Sequence, residues 1–208
     1  MDRTLVRKNT ASLYVRYQRE IGEASLVDMA RASWWLLEYT LGVVDAEAVA
    51  VKALRQAAGQ HETVLAARCD DWFRRDVAPH VACEGRRAID RHRVAGDVCA
   101  IVTGATYYAA RPLARLLDID HVIATELECD PERRFTGRHV HLNYGAGKLE
   151  KSEALARAHG TTLEQAVFYS DSISDLPLFE RVGVPIVVNP DPRLRRVAWQ
   201  RGWPIEAW

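Results

Sequence analysis

The chain has 208 residues, 48% hydrophobic and 27% charged, and its 28 basic and 28 acidic side chains give zero formal net charge. That length holds one large domain, or a core with a smaller module. The balanced charge excludes a nucleic-acid binder that works by broad phosphate neutralisation, and no run of about 18 apolar residues is present to form a transmembrane helix.

The N-terminus lacks the apolar core of a signal peptide. Cys69, Cys83, Cys99 and Cys129 are dispersed, without a Cys-x-x-Cys pair. They read as reduced thiols of a cytoplasmic protein rather than as disulfides or a zinc site.

In chain order, "MDRTLV" is followed by a stretch from about Thr10 to Val77 that reads as helix, broken at Gly22, Gly42 and Gly59. "SLVDMARASWWLLEYTL" carries Leu26, Met29, Ala30, Trp34, Leu37 and Leu41 at three- and four-residue spacing. "DAEAVAVKALRQAA" is rich in strong helix formers behind the cap candidate Asp45, and "ETVLAARCDDWFRRDVAP" keeps the same period. This predicts a helical module over 10–79. All eight prolines lie at or after Pro79, where the pattern changes. "DVCAIVTG" (97–104), "HVIATELE" (121–128), "AVFYSD" (166–171) and "VPIVVN" (184–189) are short runs rich in Val and Ile. Helical stretches over 109–118, 148–160 and 176–183 lie between them, and "ERRFTGRHVHLNYGAG" reads as a small hairpin. Strands alternating with helices predict an α/β fold, a doubly wound parallel sheet covered on both faces.

Ligands of such sheets bind beyond the carboxyl ends of the strands. Thr103 and Gly104 follow one strand at a helix entrance, where Thr103 reads either as an N-cap or as an anion ligand. Lys148 opens a helix after two glycines. Its charge opposes the helix dipole there, so it is either a solvated lysine or one offset by a ligand. "YSDSISDLP" sets Asp171 and Asp175 just after an apolar run, a plain polar turn or an acidic site for a hard cation such as Mg²⁺. Gly-x-Gly-x-x-Gly, the dinucleotide fingerprint, is absent.

Together these residues resemble the haloacid dehalogenase superfamily, in its phosphoserine-phosphatase-like branch. The resemblance implies a Rossmann-like core over 1–9 and 80–208, with the helical module of 10–79 inserted after the first motif as a cap. Asp2 and Thr4 match the later part of the first motif, Asp-x-Asp-x-Thr. Thr103 matches the second, Lys148 the third, and Asp171 with Asp175 the fourth. The resemblance implies a Mg²⁺-dependent phosphomonoester hydrolase with a small phosphorylated substrate and an aspartyl-phosphate intermediate. Asp2 would be general acid and base, Thr103 and Lys148 would hold phosphoryl oxygens, Asp171 would bind Mg²⁺, and Asp175 would support that shell. Thr4 and Gly104 would belong to the substrate pocket.

Two departures matter. The family's first Asp, the nucleophile, falls one position before Met1, and the apolar strand that carries it in relatives has no counterpart here. The resemblance therefore implies an inactive 208-residue chain, and a non-catalytic phosphate- and Mg²⁺-binding protein is the alternative reading. Asn9 stands where phosphoserine phosphatases carry a Glu that meets the substrate ammonium, so Asn9 is expected to disfavour phosphoserine. A phosphorelay receiver domain is excluded by the order of its motifs and by its shorter length. Neither the oligomeric state nor the physiological substrate is legible in the sequence.

Overall fold

The architecture follows from a computed structural model that describes residues 1–23, 51, 54–55 and 57–208. The helix expected over 25–41, most of that over 45–58, and the aromatic residues Trp34, Trp35 and Tyr39 lie outside the described residues. Helix α1 (Thr10–Glu20) begins at Asn9, whose side chain accepts from Ser12 N at 3.0 Å. It buries Leu13 and Tyr17, one turn apart. Helix α2 (Glu62–Trp72) is capped by His61 and runs into a wider turn at Phe73–Val77 before Pro79 ends it. Helix α3 (Cys83–Val94) then leads to the first strand. All four cysteines are free, and burial pushes the Cys69 thiol up to about 12, leaving it protonated and inert.

The α/β segment starts with β1 (Ala100–Thr106) and α4 (Tyr107–Leu117). The strand runs two residues past the expected end at Gly104, so Thr106 rather than Thr103 caps α4, accepting from Ala109 N at 3.3 Å. Strands β2 (His121–Cys129) and β3 (Phe135–His141) form a hairpin, so 132–147 supplies one strand that pairs back on β2 rather than the expected hairpin of its own. Phe135 clamps it to the residues ahead of α2: Gly59 N donates to its carbonyl at 2.8 Å, and its own N–H to Gln60 O at 3.0 Å. Helix α5 (Ala146–Ala158), β4 (Val167–Ser170), the short α6 (Leu176–Phe179), β5 (Val184–Val188) and α7 (Pro192–Arg201) follow. A two-residue β6 (Ile205–Glu206), too short for a sequence signal, closes the chain.

The strands make two three-stranded sheets, β1-β2-β3 and β4-β5-β6, parallel except for the hairpin. Each has its own apolar cluster. Ile101, Leu113 and Leu117 pack with Trp72, Phe73, Leu13 and Tyr17 from the helices, whereas Phe179, Val187, Leu194 and Ala198 form the other. Among the described residues β1 pairs only with β2, and β4 only with β5. Between these two edges lies a cavity of about 450 Å³, lined by Ile101 and Val102 from one strand, Phe168 and Tyr169 from the other, and by Met1 and Thr4. The hydroxyls of Thr4 and Ser152, which both line it, are buried without a partner.

Candidate active site

The first six residues coil tightly. Leu5 N and Val6 N both donate to Met1 O at 3.0 Å, and Arg3 takes a left-handed φ of 49°. This coil aims the Asp2 carboxylate at α1, where Thr10 Oγ1 donates to Asp2 Oδ1 at 2.6 Å. Thr10 is the first residue of α1 and is buried, so the Asn9 cap and the Asp2 bond fix the same helical turn.

Asp171 follows the last residue of β4, and a 3₁₀ turn over Ile173–Asp175 brings Asp175 back toward it. Burial pushes the Asp171 carboxyl up to about 7. The Met1 ammonium opposes that rise, while the neighbouring Asp2 and Asp175 carboxylates add to it. One cluster therefore holds residues 1, 2, 171 and 175. Asp175 is buried and paired with the equally buried Lys148 Nζ, and its other oxygen accepts from Ser170 Oγ at 2.6 Å. The pair satisfies the charge of a lysine that the helix dipole of α5 disfavours.

Thr103 is buried on β1, its hydroxyl accepting from Ala105 N at 3.2 Å. The loop ahead of α5 locks that strand end in place. Asn143, fully buried, donates through Nδ2 to Thr103 O at 2.7 Å and to Ile123 O at 2.9 Å. Next along the chain, the Tyr144 ring lies so close to Gly104 that a Cβ there would sit 2.6 Å from Cζ. Gly147 is needed too, because a Cβ on it would collide with Leu142 O. These contacts tie the end of β1 to the start of α5, and the Lys148–Asp175 pair ties the start of α5 to the loop after β4, where Asp171 lies beside Asp2. Thr4 is buried in the cavity lining, and Asn9 is committed to its cap. Sequence reasoning missed Thr10, Asn143, Ser170 and Asp191. Only Asp191 left a signal, an Asp immediately before Pro at a helix start. Its carboxylate caps α7, accepting from Arg193 N and Leu194 N, and also takes Ile173 N at 2.7 Å.

The chain matches the family of haloacid dehalogenase-like hydrolases over residues 1–180. It belongs to that family. It is 28% identical over 213 residues to a histidinol-phosphatase of Neisseria meningitidis serogroup C, covering 99% of this chain and 95% of that one. It is 32% identical over 155 residues to a phosphoserine phosphatase of Mycobacterium tuberculosis, covering 74% of this chain and 50% of that one. The chain thus spans nearly all of the first and half of the second. A protein of unknown function from Bordetella pertussis has the same fold, with a TM-score of 0.84, 30% identity, and coverage of 99% and 94%.

The carboxylates suit a hard cation, although no group of three His, Cys, Asp or Glu side chains forms a ready cage among the described residues. Mg²⁺ needs only one or two carboxylates, completing its shell with water and phosphate. A cation beside Asp171 would offset the cost of burying its charge and, with it, the smaller repulsion from Asp2 and Asp175. A carboxyl whose folded pKa lies above its unfolded value costs stability when ionised, so this contribution is absent below about pH 4 and grows as pH rises toward 7. Asp171→Asn is therefore expected to raise the melting temperature of the metal-free protein at pH 8 and to leave it unchanged at pH 4. The Mg²⁺-induced rise in melting temperature of the unaltered chain should be larger at pH 8 than at pH 5. A lower melting temperature for the variant at pH 8 would mean that the Asp171 charge is not strained by burial and its neighbours.

Proposed function

We propose that this chain carries the chemistry of a Mg²⁺-dependent phosphomonoester hydrolase with an aspartyl-phosphate intermediate, and that residues 10–79 cap its site. The observation that carries the reading is the cluster of Asp2, Asp171 and Asp175 with the buried Lys148, set beyond the strand ends in a hydrolase of this family. Both relatives bear the names of phosphatases. Asp171, with water, would hold Mg²⁺, which supplies positive charge against the phosphoryl oxygens. Thr103 and the Gly104 backbone would take further phosphoryl oxygens, and Lys148 would share its charge between them and Asp175. Asp2, steadied by Thr10, would protonate the leaving alcohol and then deprotonate the attacking water, worth about 10²–10⁴-fold in rate.

The attacking carboxylate is not among these groups. Alignment of "MDRTL" with the first motif sets it one position ahead of Met1, so the 208-residue chain is expected to bind phosphate and Mg²⁺ without turnover. Extension ahead of Met1 by an apolar segment ending in Asp is expected to produce Mg²⁺-dependent release of p-nitrophenol from its phosphate. Equal turnover by both chains would move the nucleophile elsewhere, and none by either would favour a binding protein.

The substrate is a small phosphomonoester, with L-phosphoserine disfavoured. Asn9 offers no charge to an ammonium, and its amide oxygen is occupied by Ser12 N and Oγ. In a panel with histidinol phosphate, kcat/KM for phosphoserine should fall at least about tenfold below the best substrate, about 1.4 kcal/mol of transition-state discrimination. Phosphoserine ranking first would remove this argument from Asn9.

A further inference from the structure

Helix α7 buries one side and leaves the other unusually equipped. Leu194 and Ala198 are fully buried in the cluster with Val187 and Phe179. On the opposite side Trp199 is 71% exposed, and Arg193, Arg195 and Arg196 are exposed as well. At 3.6 residues per turn, Arg195 and Arg196 precede Trp199 by four and three positions, so two guanidinium groups flank the indole on one surface. Arg193 adjoins Arg196 by the same rule. None of these three arginines has an ion-pair partner among the described residues, whereas Arg201, at the far end, pairs with Glu180 at 2.7 Å.

Two features of this face call for an explanation. Three cations crowd the first half of a helix, where the dipole favours anions. The one nearby carboxylate, Asp191, is already spent on the N–H groups of Arg193, Leu194 and Ile173. A large indole is also left in water, although the helix has an apolar side against the sheet. An anionic partner that accepts an indole resolves both.

We propose that the outer face of α7 docks on an anionic lipid bilayer. The helix has ten residues and is only about 15 Å long, so its exposed face offers a small contact that a soft planar surface suits better than a second folded protein. Tryptophan settles at the headgroup level of bilayers while flanking arginines meet lipid phosphates and carboxylates. Three cations are also few for a nucleic acid, whose binding rests on many phosphate contacts. Because the Asp191 N–H donates to Asp171 O at 2.9 Å, the docked helix would be tied directly to the acidic loop of the candidate site.

The test uses the 208-residue protein and flotation with vesicles, and it does not depend on any enzymatic activity. Phosphatidylserine-containing vesicles should carry the protein and pure phosphatidylcholine vesicles should not, with binding lost as salt rises from about 0.1 to about 0.5 M. Arg193→Gln, Arg195→Gln and Arg196→Gln should each weaken binding about fivefold, and the triple variant about a hundredfold. Trp199→Ser should weaken it too, and the wild-type indole emission should shift to the blue on binding in a way that this variant loses. All four positions are exposed, so unchanged melting temperatures are expected and would confirm that the fold is intact. Equal binding to both vesicle types, undiminished binding of the triple variant, or tighter binding to single-stranded RNA than to the anionic vesicles would overturn the proposal.

Discussion

Replacing Lys148 by Met should destabilise the protein by about 3–5 kcal/mol, because it strands a buried carboxylate. The side chains of Lys148 and Asp175 are only 9% and 7% exposed, and Asp175 would keep just the Ser170 hydroxyl as a partner. Removing both charges together is a different perturbation, since nothing is then left unpaired. The double variant Lys148→Met, Asp175→Asn should recover most of the loss, while any turnover in an extended chain stays abolished. Urea denaturation of the two single variants and the double gives the coupling directly. Additive losses would show that the pair contributes no mutual stabilisation and that its burial serves some other contact.

An apolar strand joined ahead of Met1 should produce the second large effect. Among the described residues the cavity between β1 and β4 is bordered by two strand edges without a partner across it, and Met1, whose ammonium faces Asp171, is among its lining residues. A segment laid there parallel to both neighbours would end at Met1. Burying about five apolar side chains at about 1.5–3 kcal/mol each contributes on the order of 8–15 kcal/mol. Ordering five residues costs about 5–10 kcal/mol of that in backbone entropy. The net, roughly 3–5 kcal/mol, corresponds to a melting temperature raised on the order of 10 °C for a chain of this size. Amide exchange should slow in both β1 and β4, because the new strand would hydrogen-bond to each edge. A higher melting temperature without slower exchange in both strands would place the added segment elsewhere.

The alternation of strands and helices and the carboxylates behind β4 were legible because each depends on local pattern. Tertiary contacts decided what was not. The end of β1 was read two residues early, since nothing local shows that Thr103 and Gly104 remain extended beneath Asn143 and Tyr144. The pairing of Asp175 with Lys148, 27 residues away, depends on how the start of α5 meets the loop after β4, which no local pattern encodes. The role of Thr10 depends on how the first six residues coil, which no periodicity encodes. Division of the described strands into two sheets, each with its own apolar cluster, follows from contacts between distant segments that local pattern does not encode.

Asn189, at the end of β5, holds an unfavourable left-handed φ of 43° while its amide joins the two chain termini. Its Nδ2 donates to Arg3 O at 2.7 Å and to Trp208 O at 3.1 Å, and Trp208 N donates back to Oδ1 at 3.2 Å. The coil that aims Asp2 is thus braced by a residue 186 positions away and by the final tryptophan. During synthesis at about 5–20 residues per second, Asp2 waits roughly 10–40 s for that brace. The aim of Asp2 is therefore completed only after Asn189 and Trp208 have been made, long after the segment they brace.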